Sequence, residues 1–204
     1  MNVQEATTRR LPDLKERHLP ENCRETINTI LKETYGYEQF RNLEIYDDLS
    51  KGKEKLCISQ GQLIENVILE AEKAWKGETQ VDNILLTAPT GSGKSLLFQL
   101  PAIYLGKEYN LLTIVVSPLK ALIVDQVESL QELGYTRVAY ASSDLSPEQK
   151  MEVYRQVREG EIDLFYLSPE LLLSYDIKHF VGERRIGLVA VSYTHLTLPT
   201  IRLV

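Results

Sequence analysis

From Gly61 onward, apolar and polar positions fall into two alternating rhythms. Leu63, Ile64, Val67, Ile68, Ala71 and Trp75 recur at the three-to-four spacing of an amphipathic helix. Short apolar runs then alternate with helical stretches. The runs ILL, TIVV, LFYL and LVAV mark predicted strands at Asn83–Thr87, Leu112–Val116, Asp163–Leu167 and Ile186–Val191, with a further strand at Arg137–Tyr140. Between and after them the pattern predicts helices at Lys94–Leu105, Lys120–Glu132, Pro147–Arg158 and Pro169–Ser174. Strands that are apolar without alternation are covered on both faces, as in a parallel sheet clothed by helices. Repeated strand–helix units predict an α/β fold with a doubly wound parallel sheet of at least five strands. Residues 1–55 are more polar and carry one predicted helix, Arg24–Lys32; they read as a short, mainly helical accessory segment ahead of the α/β domain at 56–191.

Composition narrows the function classes. Hydrophobic residues make up 43% and charged residues 25% of the 204, as in a folded globular chain. The longest apolar run, Leu111–Val116, is far short of a membrane span. The N-terminus has no apolar core after its charges, so it does not read as a secretory signal. A formal net charge of −6 argues against coating nucleic acid through bulk positive charge, though not against gripping a strand through backbone amides and hydroxyls. Cys23 and Cys57 form no paired motif, and His18, His179 and His195 lack metal-ligand spacing. The expected setting is the cytoplasm, at the nucleoid if the source is bacterial.

The strongest local signal is Ala88-Pro89-Thr90-Gly91-Ser92-Gly93-Lys94-Ser95, lying between a predicted strand and a predicted helix. That context makes it a P-loop rather than a plain glycine-rich turn. Gly91 and Gly93 allow backbone angles that let successive N–H groups converge on a phosphate, so Thr90, Gly91, Ser92 and Gly93 are expected to cradle it. Lys94 is expected at the β- and γ-phosphates and Ser95 on Mg²⁺, which makes this pair the catalytic candidates and ATP with Mg²⁺ the expected ligands.

A P-loop does not choose among kinases, transporters, GTPases and helicases. The residues around it do. APTGSGKSLLFQLPAIYL resembles motif I of the RecQ helicases of superfamily 2. VVSPLKALIVDQVESL resembles their motif Ia, and the stretch leading to Ser168-Pro169-Glu170 resembles their approach to motif Ib. The resemblance runs over roughly residues 61 to 191. It implies a first RecA-like motor domain that couples ATP hydrolysis to DNA unwinding. It also implies single-stranded or forked DNA contacts at Ser117, Pro118, Leu119, Lys120, Ser168, Pro169 and Glu170, and a second RecA-like domain that this chain does not contain. Helix starts after Ser117 and Ser168 would aim N–H groups at DNA phosphates, unless each serine merely caps its helix.

The family's adenine motif, F-G-Y-x-x-F-R-P-G-Q, is present in two pieces. Tyr35-Gly-Tyr-Glu-Gln-Phe-Arg41 matches its start and Gly61-Gln62 its end. The resemblance assigns Arg41 and Gln62 to adenine. Either residues 42–60 loop out as an insertion, or one half is coincidental.

After Val191 the family carries Asp-Glu-Ala-His, whereas this chain continues SYTHLTLPTIRLV. Residues 191–200 resemble the translation of a transposase adaptor used in sequencing libraries. Residues 192–204 are therefore expected to be foreign and to make few buried contacts, although Ser-Tyr-Thr-His-Leu-Thr-Leu also alternates as a strand would. Three other readings stay open: an RNA helicase, a duplex translocase, or a nucleotide-binding module without catalysis.

Overall fold

The computed structural model describes residues 17–46, 55–86, 91–192 and 200–202. Thr90, and with it the front half of the P-loop, lies outside them, as does most of the 192–204 stretch.

Chain order starts with helix α1 (Glu21–Tyr35), followed by an antiparallel hairpin of β1 (Asn42–Tyr46) and β2 (Lys55–Ser59). Helix α2 (Gln60–Trp75) leads to β3 (Ile84–Leu85) and to α3 (Leu96–Tyr109). Then β4 (Leu112–Val116), α4 (Lys120–Glu132), β5 (Val138–Ala141), α5 (Pro147–Arg158) and β6 (Leu164–Leu167) alternate. Two short helices, α6 (Pro169–Ser174) and α7 (Ile177–Val181), precede β7 (Ile186–Val191), and β8 (Thr200–Arg202) comes last.

The main sheet has the order β3-β8-β7-β4-β6-β5. The four strands β7, β4, β6 and β5 pair in parallel, as the apolar runs predict. β8 is antiparallel to both β7 and β3, so β3 runs in the same direction as the four without touching them. The last described residues thus sit inside the sheet, paired on both sides, rather than away from it.

Alternation within the strands builds two cores. Val115, Leu164, Tyr166, Leu188 and Ala190 face one side, with residues of α1, α2, α3 and α4. Leu112, Ile114, Val116, Phe165 and Leu167 face the other, with Tyr154, Val157, Phe180 and Val181. Every residue of β4 and β6 is buried, which is why neither strand shows a polar face in the sequence. Leu19, Ile27, Ile30 and Leu31 join the first of these cores, so α1 is packed onto the P-loop helix rather than standing apart.

Local chemistry sets the ends of the helices. α1 stops at Gly36, whose φ of 68° lets its N–H reach the Lys32 carbonyl while the Tyr37 N–H reaches Leu31. α5 opens on a capping box, with Ser146 and Gln149 each taking the other's backbone N–H and Pro147 in the first turn. α3 starts at Leu96, later than the Lys94 that sequence predicts, because Lys94 and Ser95 still form the closing turn of the phosphate loop.

Candidate nucleotide and nucleic-acid site

The hairpin β1–β2 decides how the two halves of the adenine motif relate. Asn42 pairs with Ser59 at its base, and the Gln60 N–H donates to the Arg41 carbonyl at 2.9 Å. Strands β1 and β2 therefore leave and return at one point, and Arg41 lies beside Gln60-Gly61-Gln62. Phe40 packs so tightly over Gly61 that a Cβ there would lie 2.6 Å from its ring. Glycine is required by this contact, and the motif's spacing in space is intact despite the gap in sequence. On the same segment the Arg41 guanidinium stands 5.9 Å from the centre of the Tyr37 ring. A groove lined by Asn28, Lys32, Glu38, Gln39, Phe40 and Ser59 runs alongside.

Gln60, which pattern reading passed over, is buried at 2% exposure and joins this motif to the P-loop. Its Oε1 accepts from the Arg41 N–H at 3.1 Å, and its Nε2 donates to the Ser92 carbonyl at 3.1 Å and to that of Gly93 at 3.5 Å. The family pattern has proline at this place, which could make none of these bonds. The one visible signal in the sequence was its position directly before Gly61-Gln62.

In the described part of the loop, Gly91 and Gly93 hold φ values of 82° and 77°, the left-handed conformation that glycine reaches without strain. Ser95 ends the loop at the first turn of α3, and its Oγ accepts from Gln126 Nε2 at 2.8 Å. Burial holds the Lys94 ammonium below the ordinary lysine range. A phosphate beside it would favour the charged form again.

The two segments predicted to meet DNA differ in kind. Ser117 is buried at the tip of β4, its N–H donates to the Leu167 carbonyl, and its Oγ has no protein partner. It does not cap α4; that place falls to Leu119, which gives no side-chain bond, so the first amides of α4 are left open. Pro118 is half-buried, Leu119 and Lys120 are exposed, and the Lys120 ammonium pairs with Asp144 at 2.9 Å. Ser168 does cap its helix, accepting from the Leu171 N–H at 3.3 Å. Pro169 has no N–H. The exposed Glu170 carboxylate takes its own N–H and the Ser168 hydroxyl, which holds its pKa below the usual carboxylate range. The first turn of α6 is thus closed on itself, while that of α4 is open.

A phosphate loop at the end of β3, a glutamine-bearing motif folded against it, and a parallel sheet whose strand tips carry the remaining segments all point one way. The family model of the DEAD/DEAH box helicases matches residues 62–194. The chain belongs to the DEAD/DEAH box helicase family. Within it the chain is RecQ-like. It is 32% identical over 168 residues to the ATP-dependent DNA helicase RecQ of Synechocystis sp., covering 82% of this chain and 28% of that protein. It is 30% identical over 167 residues to RecQ of Bacillus subtilis, covering 82% of this chain and 23% of the relative. It is 31% identical over 172 residues to the ATP-dependent DNA helicase Q-like 5 of Arabidopsis thaliana, covering 84% and 15%. The chain thus spans less than a third of the length of each of these relatives.

Proposed function

We propose that this chain is the nucleotide-binding motor half of an ATP-dependent DNA helicase, holding ATP and one DNA strand along the carboxyl edge of its sheet. The observation that carries the reading is the Gln60 clamp, which puts the adenine motif and the phosphate loop into one surface. Adenine would lie against Tyr37 and Arg41, with the Gln62 amide offering one donor and one acceptor to its edge. The backbone from Thr90 to Gly93 would cradle the phosphates, and Lys94 Nζ would meet the β- and γ-oxygens.

The residues present fit a Mg²⁺ ion. Ser95 Oγ accepts one bond, from Gln126, and retains a second lone pair for the metal. Ser95 would hold the Mg²⁺, which would supply charge neutralisation for the phosphates of a bound nucleotide. A DNA phosphate would sit at the open N-terminus of α4, where uncapped amides and the helix dipole favour an anion and Lys120 is adjacent. Contacts at Ser168, Pro169 and Glu170 would come from the surface of α6, not from its amides. Unwinding would further need a second RecA-like domain to supply an arginine from the facing side. Residues 192–204 we read as foreign to this family, because no carboxylate follows Val191; genomic sequence across codon 191 tests that directly.

Lys94→Ala tests the nucleotide site. Charge-assisted bonds are worth about 1.5–3 kcal/mol each, so ATP affinity measured by calorimetry should fall at least about tenfold. Equal affinity with and without the ammonium refutes the assignment.

A further inference from the structure

Beneath the P-loop lies a chain of side-chain hydrogen bonds that the motif reading does not use. Tyr35 Oη, at the end of α1, donates to Gln99 Oε1 at 3.4 Å. Gln99 Nε2, on α3, donates to Tyr166 Oη at 3.1 Å and to Gln126 Oε1 at 3.3 Å. Tyr166 Oη, on β6, donates to Gln126 Oε1 at 3.2 Å. Gln126 Nε2, on α4, donates to Ser95 Oγ at 2.8 Å. Gln99 is 5% exposed and Tyr166 1%, so water competes little for these bonds.

Donors and acceptors run in one direction along the chain. An amide offers donors only on nitrogen and acceptors only on oxygen. Two donors, from Gln99 and Tyr166, converge on Gln126 Oε1, and this turns Gln126 Nε2 toward Ser95. Burial raises the Tyr166 phenol well above its ordinary pKa, so its proton stays in place to be donated. Each bond therefore passes its donor toward Ser95, whose hydroxyl receives one bond and keeps its own proton and one lone pair.

We infer that Gln126 is a positioning residue, held by Tyr166 and Gln99, that fixes the Ser95 hydroxyl in the orientation a nucleotide-bound Mg²⁺ requires. The inference rests on the ATP and Mg²⁺ reading above. It makes the metal ligand depend on α4, which starts at Leu119 and Lys120, and on β6, whose tip carries Ser168. A shift of either element would reach Ser95 through side-chain bonds, without moving the backbone of the P-loop.

The test compares a fluorescent ATP analogue binding to the 204-residue chain in excess Mg²⁺ and in EDTA, for wild type, Gln126→Leu, Tyr166→Phe and Lys94→Ala. Thermal melting accompanies each measurement. A positioning role predicts that Gln126→Leu lowers the Mg²⁺ enhancement of affinity by about three- to tenfold, the worth of one hydrogen bond. Affinity in EDTA should stay within about twofold, because the phosphate-loop backbone is untouched. Tyr166→Phe keeps the ring and its packing, should lower the enhancement in the same direction, and carries the test should Gln126→Leu not fold. Proportional losses with and without Mg²⁺ would mean the bonds only support the fold, and would overturn the inference. So would an unchanged enhancement in both variants. A wild-type chain with no Mg²⁺ enhancement, or a Lys94→Ala chain that binds as well as wild type, would instead remove the nucleotide reading on which the inference stands.

Discussion

Single residues hold this domain together where elements approach most closely. Asp163, at 2% exposure, receives Arg137 Nε at 2.6 Å, Arg184 Nη2 at 2.9 Å and the Tyr135 hydroxyl at 3.1 Å. A Cβ on Gly106 would lie 2.4 Å from the Asp163 carboxyl carbon, so α3 can pass over the acid only because that position is glycine. The Arg184 side chain is only 5% exposed and depends on this carboxylate for its counter-charge. Asp163→Ala leaves that guanidinium buried without its partner, a change that costs about 3–5 kcal/mol in comparable sites. Urea unfolding should show a loss of that order; a loss below about 1 kcal/mol would mean water reaches Arg184 and the pair matters little. Gly61 and Gly93 belong to the same scale. Each admits a neighbour, Phe40 or the Gln60 amide, that a side chain would displace.

At the scale of elements, the hairpin stands outside the main sheet, and its last residue, Ser59, caps α2. Among the described residues, β1 and β2 pair only with each other, and their base closes where Arg41 meets Gln60. Leu43 and Ile58, cross-strand partners, turn inward to the core, while Glu44 and Cys57 are exposed. Excising residues 42–59 and joining Arg41 to Gln60 should therefore leave ATP affinity within about threefold while lowering the melting temperature, because burying each such side chain is worth about 1.5–3 kcal/mol. Titration of the excised protein with ATP checks this. Collapse of affinity in a protein that still melts cooperatively would show that the hairpin itself shapes the nucleotide site. The two helix starts carry the complementary lesson. Sequence treats Ser117 and Ser168 alike, yet only Ser168 caps a helix, and the amides left open are those of α4.

For the molecule as a whole, the decisive feature is a sheet covered on both faces by apolar side chains. Ser117, Ser168 and Ser192 directly follow β4, β6 and β7, and Ser117, Gln126, Tyr166 and Ser192 line a crevice too tight for a water molecule. Hydrolysis needs a residue that orients water, a role that an acidic residue often fills, and no acidic residue follows Val191 among the 204 residues. The 204-residue chain should therefore bind nucleotide and show no DNA-stimulated phosphate release above background. A phosphate-release assay with single-stranded DNA checks this, and measurable stimulated turnover would show that another group does the work of the missing acids.

The sequence by itself determined most of the parallel strands and the helices between them. β4 and β7 and the helices α4, α5 and α6 fall where pattern places them, because a strand buried on both faces leaves an unbroken apolar run and caps such as Ser146 and Ser168 write their helix starts into the chain. The family was legible for the same reason: motifs I, Ia and Ib are contiguous in sequence. The adenine motif was not, since hydrogen bonds between β1 and β2, rather than any spacing, bring Arg41 to Gln60. Only tertiary structure decided that Gln60 clamps the P-loop, that Gln126 reaches Ser95, and that β8 lies between β3 and β7. Each of these is a contact between residues far apart in the chain, and periodicity records which face a residue occupies but not which partner it meets there.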